Sequence, residues 1–207
     1  MTTARRKDAA RNDLRILGAA REIFIELGPD APVSVIAERA GIGIASLYRR
    51  YPTKEDLMRE LLLRTIEETG AQARRALAAD DAWVGFRDFV LACVAAGVSG
   101  APREAKSFLI TEEILDASRT ARQEVQRLVD RAQVEGGLRP DVNAHDIVLL
   151  LTELRVQRRA EGVSTAGMRR RLVGIVLDGL RAENASELSD APATWSRLRL
   201  LWRRFSG

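Results

Sequence analysis

The stretch VSVIAERAGIGIASLYRRYPTKEDL, Val33 to Leu57, holds two short helical patterns around a glycine. The first spans about Val33 to Ala40 and stops at Gly41, which adopts the left-handed conformation at no steric cost. The second spans about Ile44 to Tyr51 and stops before Pro52, which has no N–H to continue a helix. Ile36, Ala37 and Ala40 are apolar or small, as a close helix crossing requires. Leu47 and Tyr51 are one turn apart and are expected to face inward. Ile44, Ala45, Tyr48 and Arg49 then share the outward face. This geometry can place the second helix in a DNA major groove, although the same pair of helices also occurs as plain bundle architecture. Thr53 reads as the N-cap of the next helix. Asp56 follows three residues on in a capping-box arrangement, with Glu55 in the first turn.

Upstream, Leu14, Leu17, Ala20, Phe24 and Leu27 recur at spacings of three and four, which predicts a helix over 8–27 that ends at Gly28-Pro29. The basic tail through Lys7 carries no cap and is expected to be mobile. Downstream, long periodic segments alternate with short breaks. The expected helices run from about Thr53 to Ala79 with a weak point at Gly70, then over 81–98, 103–116, 120–135, 143–160, 165–183 and 194–205. No strand-like alternation persists, so the expected fold class is all-α, with an N-terminal three-helix unit followed by a helical bundle.

Composition agrees with this. The 207 residues are 46% hydrophobic and 30% charged, a globular balance. The net charge is +4, and Met1 to Lys54 alone carries ten Lys or Arg against six Asp or Glu, the same excess. That asymmetry suits an anionic partner. The single Cys93 excludes an intrachain disulfide. The polar start MTTARRKDAARNDLR has no secretory apolar region, and FVLACVAAGV is too short to span a bilayer. A cytoplasmic protein without a membrane partner is the expectation. The only histidine is His145, and no Ser-His-Asp order, HExxH, Gly-rich phosphate loop or Cys/His metal spacing occurs. Neither an enzyme nor a metal or other cofactor is expected.

The segment beginning RILGAAREIFIELG and continuing through AERAG and SLYRRYPTKEDL resembles the N-terminal domain of the TetR family of bacterial transcriptional regulators. The order Ala-x-x-Ala-Gly, Leu-Tyr, Pro, Lys-Glu carries the resemblance, which fades after about Arg64. It implies a DNA-binding domain over 1–56 and an effector-binding and dimerisation domain over 57–207. It also implies roles. Gly43, Ile44, Ala45 and Ser46 would meet base edges and nearby phosphates, and Tyr48 would reach a phosphate through its hydroxyl. Lys54 would hold a backbone phosphate. The sequence departs from the family pattern at Pro32, Gly43 and Ala45. The first two remove hydroxyls, for which Ser34 can compensate. Ile44 and Ala45 offer apolar surface suited to thymine methyl groups. Arg49 is a further candidate for DNA contact.

The resemblance also implies a homodimer, a double-stranded DNA operator and a small-molecule effector. Phe86, Phe89, Cys93, Phe108 and Glu112 are candidates to line an effector cavity, although a core stripe would look the same. Leu151, Leu154, Leu172, Val176 and Leu180 are candidates for the dimer interface, although packing within one chain would also produce them. A helical ligand-binding or adaptor protein with weakened DNA binding is the alternative function.

Overall fold

In a computed structural model of the protein, residues 3–95, 111–154 and 166–197 are described, and their regular structure is helical. The elements are α1 (Thr3–Leu27), α2 (Val33–Ala40), α3 (Ile44–Arg50), α4 (Lys54–Ala76), α5 (Ala82–Ala95), α6 (Glu112–Val134), α7 (Ala144–Glu153) and α8 (Ala166–Leu180), with a 3-10 turn at Ala182–Asn184. Among the described residues the only β-type pairing is a single antiparallel bridge between Leu138 and Arg181. The all-α expectation holds. The chain forms two compact units that divide inside α4, after Leu61.

In the first unit, α1 buries Ile16, Leu17, Ala19, Ala20 and Ile23 against Val33, Ile36, Ala37 and Ala40 of α2 and Leu47 of α3. The expected stripe on α1 is partly wrong. Leu14 and Leu27 are 67% and 52% exposed. Leu14 projects roughly 160° around the axis from Ile16, and Leu27 is the last residue of the helix. The helix also starts earlier than expected, at Thr3. Ion pairs that periodicity does not reveal tie α1 to its neighbours. Arg50 on α3 donates from Nε and Nη2 to the Asp13 carboxylate at 2.6 and 2.8 Å. Arg39 on α2 bridges Glu22 and Glu26 at 2.9 and 3.0 Å. Such surface pairs orient the helices more than they stabilise them.

Capping follows the sequence. Gly41 has φ 65° and closes α2, its N–H bonding to the Glu38 carbonyl at 2.9 Å. At the start of α4, the Asp56 N–H donates to Thr53 Oγ1 and the Thr53 N–H donates to Asp56 Oδ2, both at 3.1 Å. This is the reciprocal box read from the sequence. Thr53→Ala is therefore expected to lower stability by about 1 kcal/mol, to be checked by urea unfolding. No change in midpoint would show that the cap is dispensable.

In the second unit, Phe86, Phe89, Val90 and Cys93 of α5 pack with Val125, Leu128 and Val129 of α6, Ile147 and Leu151 of α7, and Val173 and Leu177 of α8. Gly70 is not a weak point, since α4 runs through it. A Cβ there would lie 3.2 Å from Ala121 Cα, so glycine lets α4 and α6 approach closely. The expected break between two helices near 117–119 is absent, and α6 is continuous from Glu112. Thr111 caps it by accepting from the Ile114 N–H. The Arg119–Asp116 pair at 2.8 Å then crosses the expected break, where no Gly or Pro stands. Asn143 caps α7 in a second capping box with Asp146.

The segment after α8 is fastened to the turn between α6 and α7. Arg139, almost wholly buried, grips Asp141 with two nitrogens at 2.6 and 2.8 Å. It also donates to the carbonyls of Gly179 at 3.1 Å and Ser186 at 2.5 Å. Farther along, Asn143 Nδ2 donates to the Ala193 carbonyl at 3.1 Å, and the Ala193 N–H donates to Asp146 Oδ1 at 2.7 Å. The expected helix over 103–116 falls mainly outside the described residues, as do the later parts of those expected over 143–160 and 194–205.

Candidate nucleic-acid interface

The outward face of α3 is set by what its inward face buries. Leu47 and Tyr51 are buried, whereas Ile44, Ala45, Tyr48 and Arg49 are exposed. Ile44 and Tyr48, one turn apart, leave 45% and 44% of their surface in solvent. An apolar side chain and an aromatic one are thus held outward on a short helix, uncovered by the described residues. Gly43 is the N-cap of α3 and makes no side-chain cap bond. Ser46 is half-buried, and its Oγ accepts from Arg49 Nη2 at 2.9 Å. Ser34 is exposed in the first turn of α2, where Pro32 supplies no side-chain cap. Lys54, half-buried at the first position of α4, holds its ammonium 5.9 Å from the centre of the Phe24 ring. Cation–π attraction of this kind restrains a long side chain near the N-terminus of its helix.

Two cations here make contacts that spacing does not reveal. Arg50, next to the outward face, is engaged with Asp13 and stacks 5.2 Å from the Tyr51 ring centre. The Asp13 hydrogen bond is the chief reason its pKa is raised. Arg15 on α1 donates to the Gly41 carbonyl at 3.4 Å, at the turn between α2 and α3. Their separation in sequence from their partners hides both contacts.

The profile of bacterial regulatory proteins of the tetR family matches residues 16–61. The profile of the SbtR-like transcriptional regulator C-terminal domain matches residues 78–182, about half of the chain. The chain belongs to the TetR family. It is a TetR-family transcriptional regulator with a DNA-binding helix-turn-helix made by α2 and α3. Among solved structures it is similar to the TetR transcriptional regulator SCO0520 from Streptomyces coelicolor, at 25% identity and a TM-score of 0.61, over 82% of this chain and 98% of that one. It is also similar to the TetR transcription regulatory protein from Mycobacterium vanbaalenii, at 26% identity and a TM-score of 0.55, over 85% and 98% of the two chains. AmtR from Mycobacterium smegmatis, at 19% identity and a TM-score of 0.53 over 90% of each chain, shares the fold. No curated protein matches significantly.

The C-terminal candidates of this TetR-family chain differ in their placement. Phe86, Phe89 and Cys93 sit in the core of the bundle, at most 2% exposed. Burial, the dominant cause, and then the Glu68 charge push the Cys93 thiol up to about 12, so it stays protonated as a small apolar group. Glu112, the other described cavity candidate, is not buried. It stands exposed in the first turn of α6, where its charge suits the helix N-terminus. Phe108 lies outside the described residues. Of the dimer-face candidates, Leu151 and Leu180 are buried in the protomer's own core, as packing within one chain would have them. Leu154 and Val176 are half-buried against that core, and Leu172 is exposed. Ile175, of the same aliphatic stripe, and Met168 share the exposed side of α8 with Leu172. Among the described residues no cluster of His, Cys, Asp or Glu suits a metal, and no helix is long and apolar enough to cross a membrane.

Proposed function

We propose that this TetR-family regulator is a repressor that binds a palindromic operator as a homodimer and is released by a small-molecule effector. The observation that carries the reading is the outward face of α3, with Ile44, Ala45, Tyr48 and Arg49 exposed over the buried Leu47. In this reading α3 lies in the major groove. Ile44 and Ala45 meet thymine methyl groups, and Tyr48 and Lys54 hold phosphates. Gly43, Ser46 and Ser34 let the backbone approach the duplex closely. The functional division falls near residue 56, between a DNA-binding part and an effector-binding and dimerising part. Because α4 belongs to both compact units, it is the element that would relay effector binding to the helix-turn-helix.

The second subunit would cover the exposed side of α8. Met168, Leu172 and Ile175 follow one another at spacings of four and three and are 69%, 49% and 58% exposed. Three large apolar side chains on one helix side form a patch that soluble proteins ordinarily cover.

A mobility-shift titration with the DNA upstream of the protein's own gene tests the reading. A discrete complex at nanomolar protein is expected, with a dimer's stoichiometry. No preference for that DNA over a scrambled fragment would favour a helical adaptor instead. Selection of binding sites from random DNA is expected to enrich thymine opposite Ile44 and Ala45, and Ile44→Ala should relax that preference.

A further inference from the structure

Arg122, on α6, carries a charge for which the described residues provide no counter-charge. Its Nη1 is buried without a hydrogen-bond acceptor. The Trp195 ring covers the guanidinium, with Arg122 Cζ 3.7 Å from the ring centre. Asp116, on the same helix, and Asp146, next to His145 in sequence, are engaged elsewhere. Asp116 holds Arg119 at 2.8 Å. Asp146 accepts from the backbone N–H groups of Asn143 at 2.9 Å and Ala193 at 2.7 Å. Burial, and then the like charge of Arg119, lower the Arg122 pKa. His145, in the first turn of α7, has its pKa lowered by burial and then by the Arg122 charge, against a smaller opposing effect of Asp146. Arg119 and His145 thus lie within electrostatic reach of Arg122, beside the N-terminus of α7.

A desolvated cation without a counter-charge is costly, and an oxyanion removes that cost. We propose that Arg122, with Arg119, His145 and Trp195, forms a binding site for a small organic carboxylate. The Trp195 indole occupies the face of the guanidinium, which leaves the planar edge for two parallel N–H···O bonds. A carboxylate matches that edge, and the neutral imidazole adds one donor. Trp195 lies just beyond Ala193, which Asn143 and Asp146 hold to the bundle. The indole is thus a positioned wall on the guanidinium face, and because Nη1 is buried a carboxylate reaches it only on local opening of the site. This site does not depend on the DNA-binding reading, and its test uses no DNA.

The test is calorimetric titration of the full chain with benzoate and, separately, with inorganic phosphate. Benzoate is expected to bind once per chain. Arg122→Gln is expected to weaken it by about tenfold or more, the effect of losing a charge-assisted bond pair. Arg122→Lys should recover part of the loss, and His145→Ala should weaken binding by a few fold in a protein of unchanged melting temperature. No binding at millimolar benzoate, or equal affinity in Arg122→Gln and wild type, would overturn the site. Phosphate binding in preference to benzoate would overturn the carboxylate assignment.

Discussion

Phe86→Ala is expected to lower the unfolding free energy by roughly 3–5 kcal/mol. Phe86 is fully buried, and its ring centre lies 5.8 Å from that of Trp83. It packs in the same core as Val125, Leu128, Val129 and Ile147. Truncation removes the transfer free energy of the ring and leaves a cavity that neighbours on several helices cannot all collapse to fill. Denaturant unfolding reads the loss as a lower midpoint at nearly constant slope. The outcome also separates the two readings of the α5 stripe. A side chain lining an open effector cavity has fewer neighbours to lose, so a loss under about 1 kcal/mol would favour the cavity over the core.

Leu47→Ala is expected to cost roughly 2–5 kcal/mol and, with it, operator binding. Leu47 is 1% exposed and anchors α3 on α1 and α2. The outward residues keep their chemistry in this variant and lose their placement, because α3 has only seven residues and depends on packing to persist. Ile44→Ala is the contrast. It changes an exposed position, so stability should stay within about 0.5 kcal/mol while base preference shifts. Thermal melting followed by circular dichroism, together with fluorescence anisotropy of a labelled operator, reads both effects. Leu47→Ala binding the operator like wild type would show that α3 is not held by this contact.

The helix-turn-helix was legible because its signals are local. Gly41, Pro52 and the Thr53–Asp56 box act within a few residues, and each stands where the sequence places it. The inward and outward faces of α3 followed from spacing alone. Long-range contacts were not legible. Asp13 and Arg50 are 37 residues apart, and Arg139 and Ser186 are 47 apart. No periodicity announces either pair. The expected break in α6 failed because a polar run without Gly or Pro does not end a helix when an i,i+3 ion pair supports it. The dimer-face candidates mixed two sides of the helices, since Leu180 is buried in its own protomer and Leu172 is not. An aliphatic stripe records burial and does not say which chain provides it.

The most direct test of the DNA-binding account is the salt dependence of operator affinity in wild type and Lys54→Gln, measured by fluorescence anisotropy. The logarithm of the binding constant should fall linearly with the logarithm of salt concentration, because each neutralised phosphate releases counterions. Lys54→Gln should make that slope shallower by about one unit per protomer and weaken all sequences nearly equally. An operator affinity independent of salt, or an unchanged slope in Lys54→Gln, would contradict the placement of Lys54 on the DNA backbone and the interface built around α3.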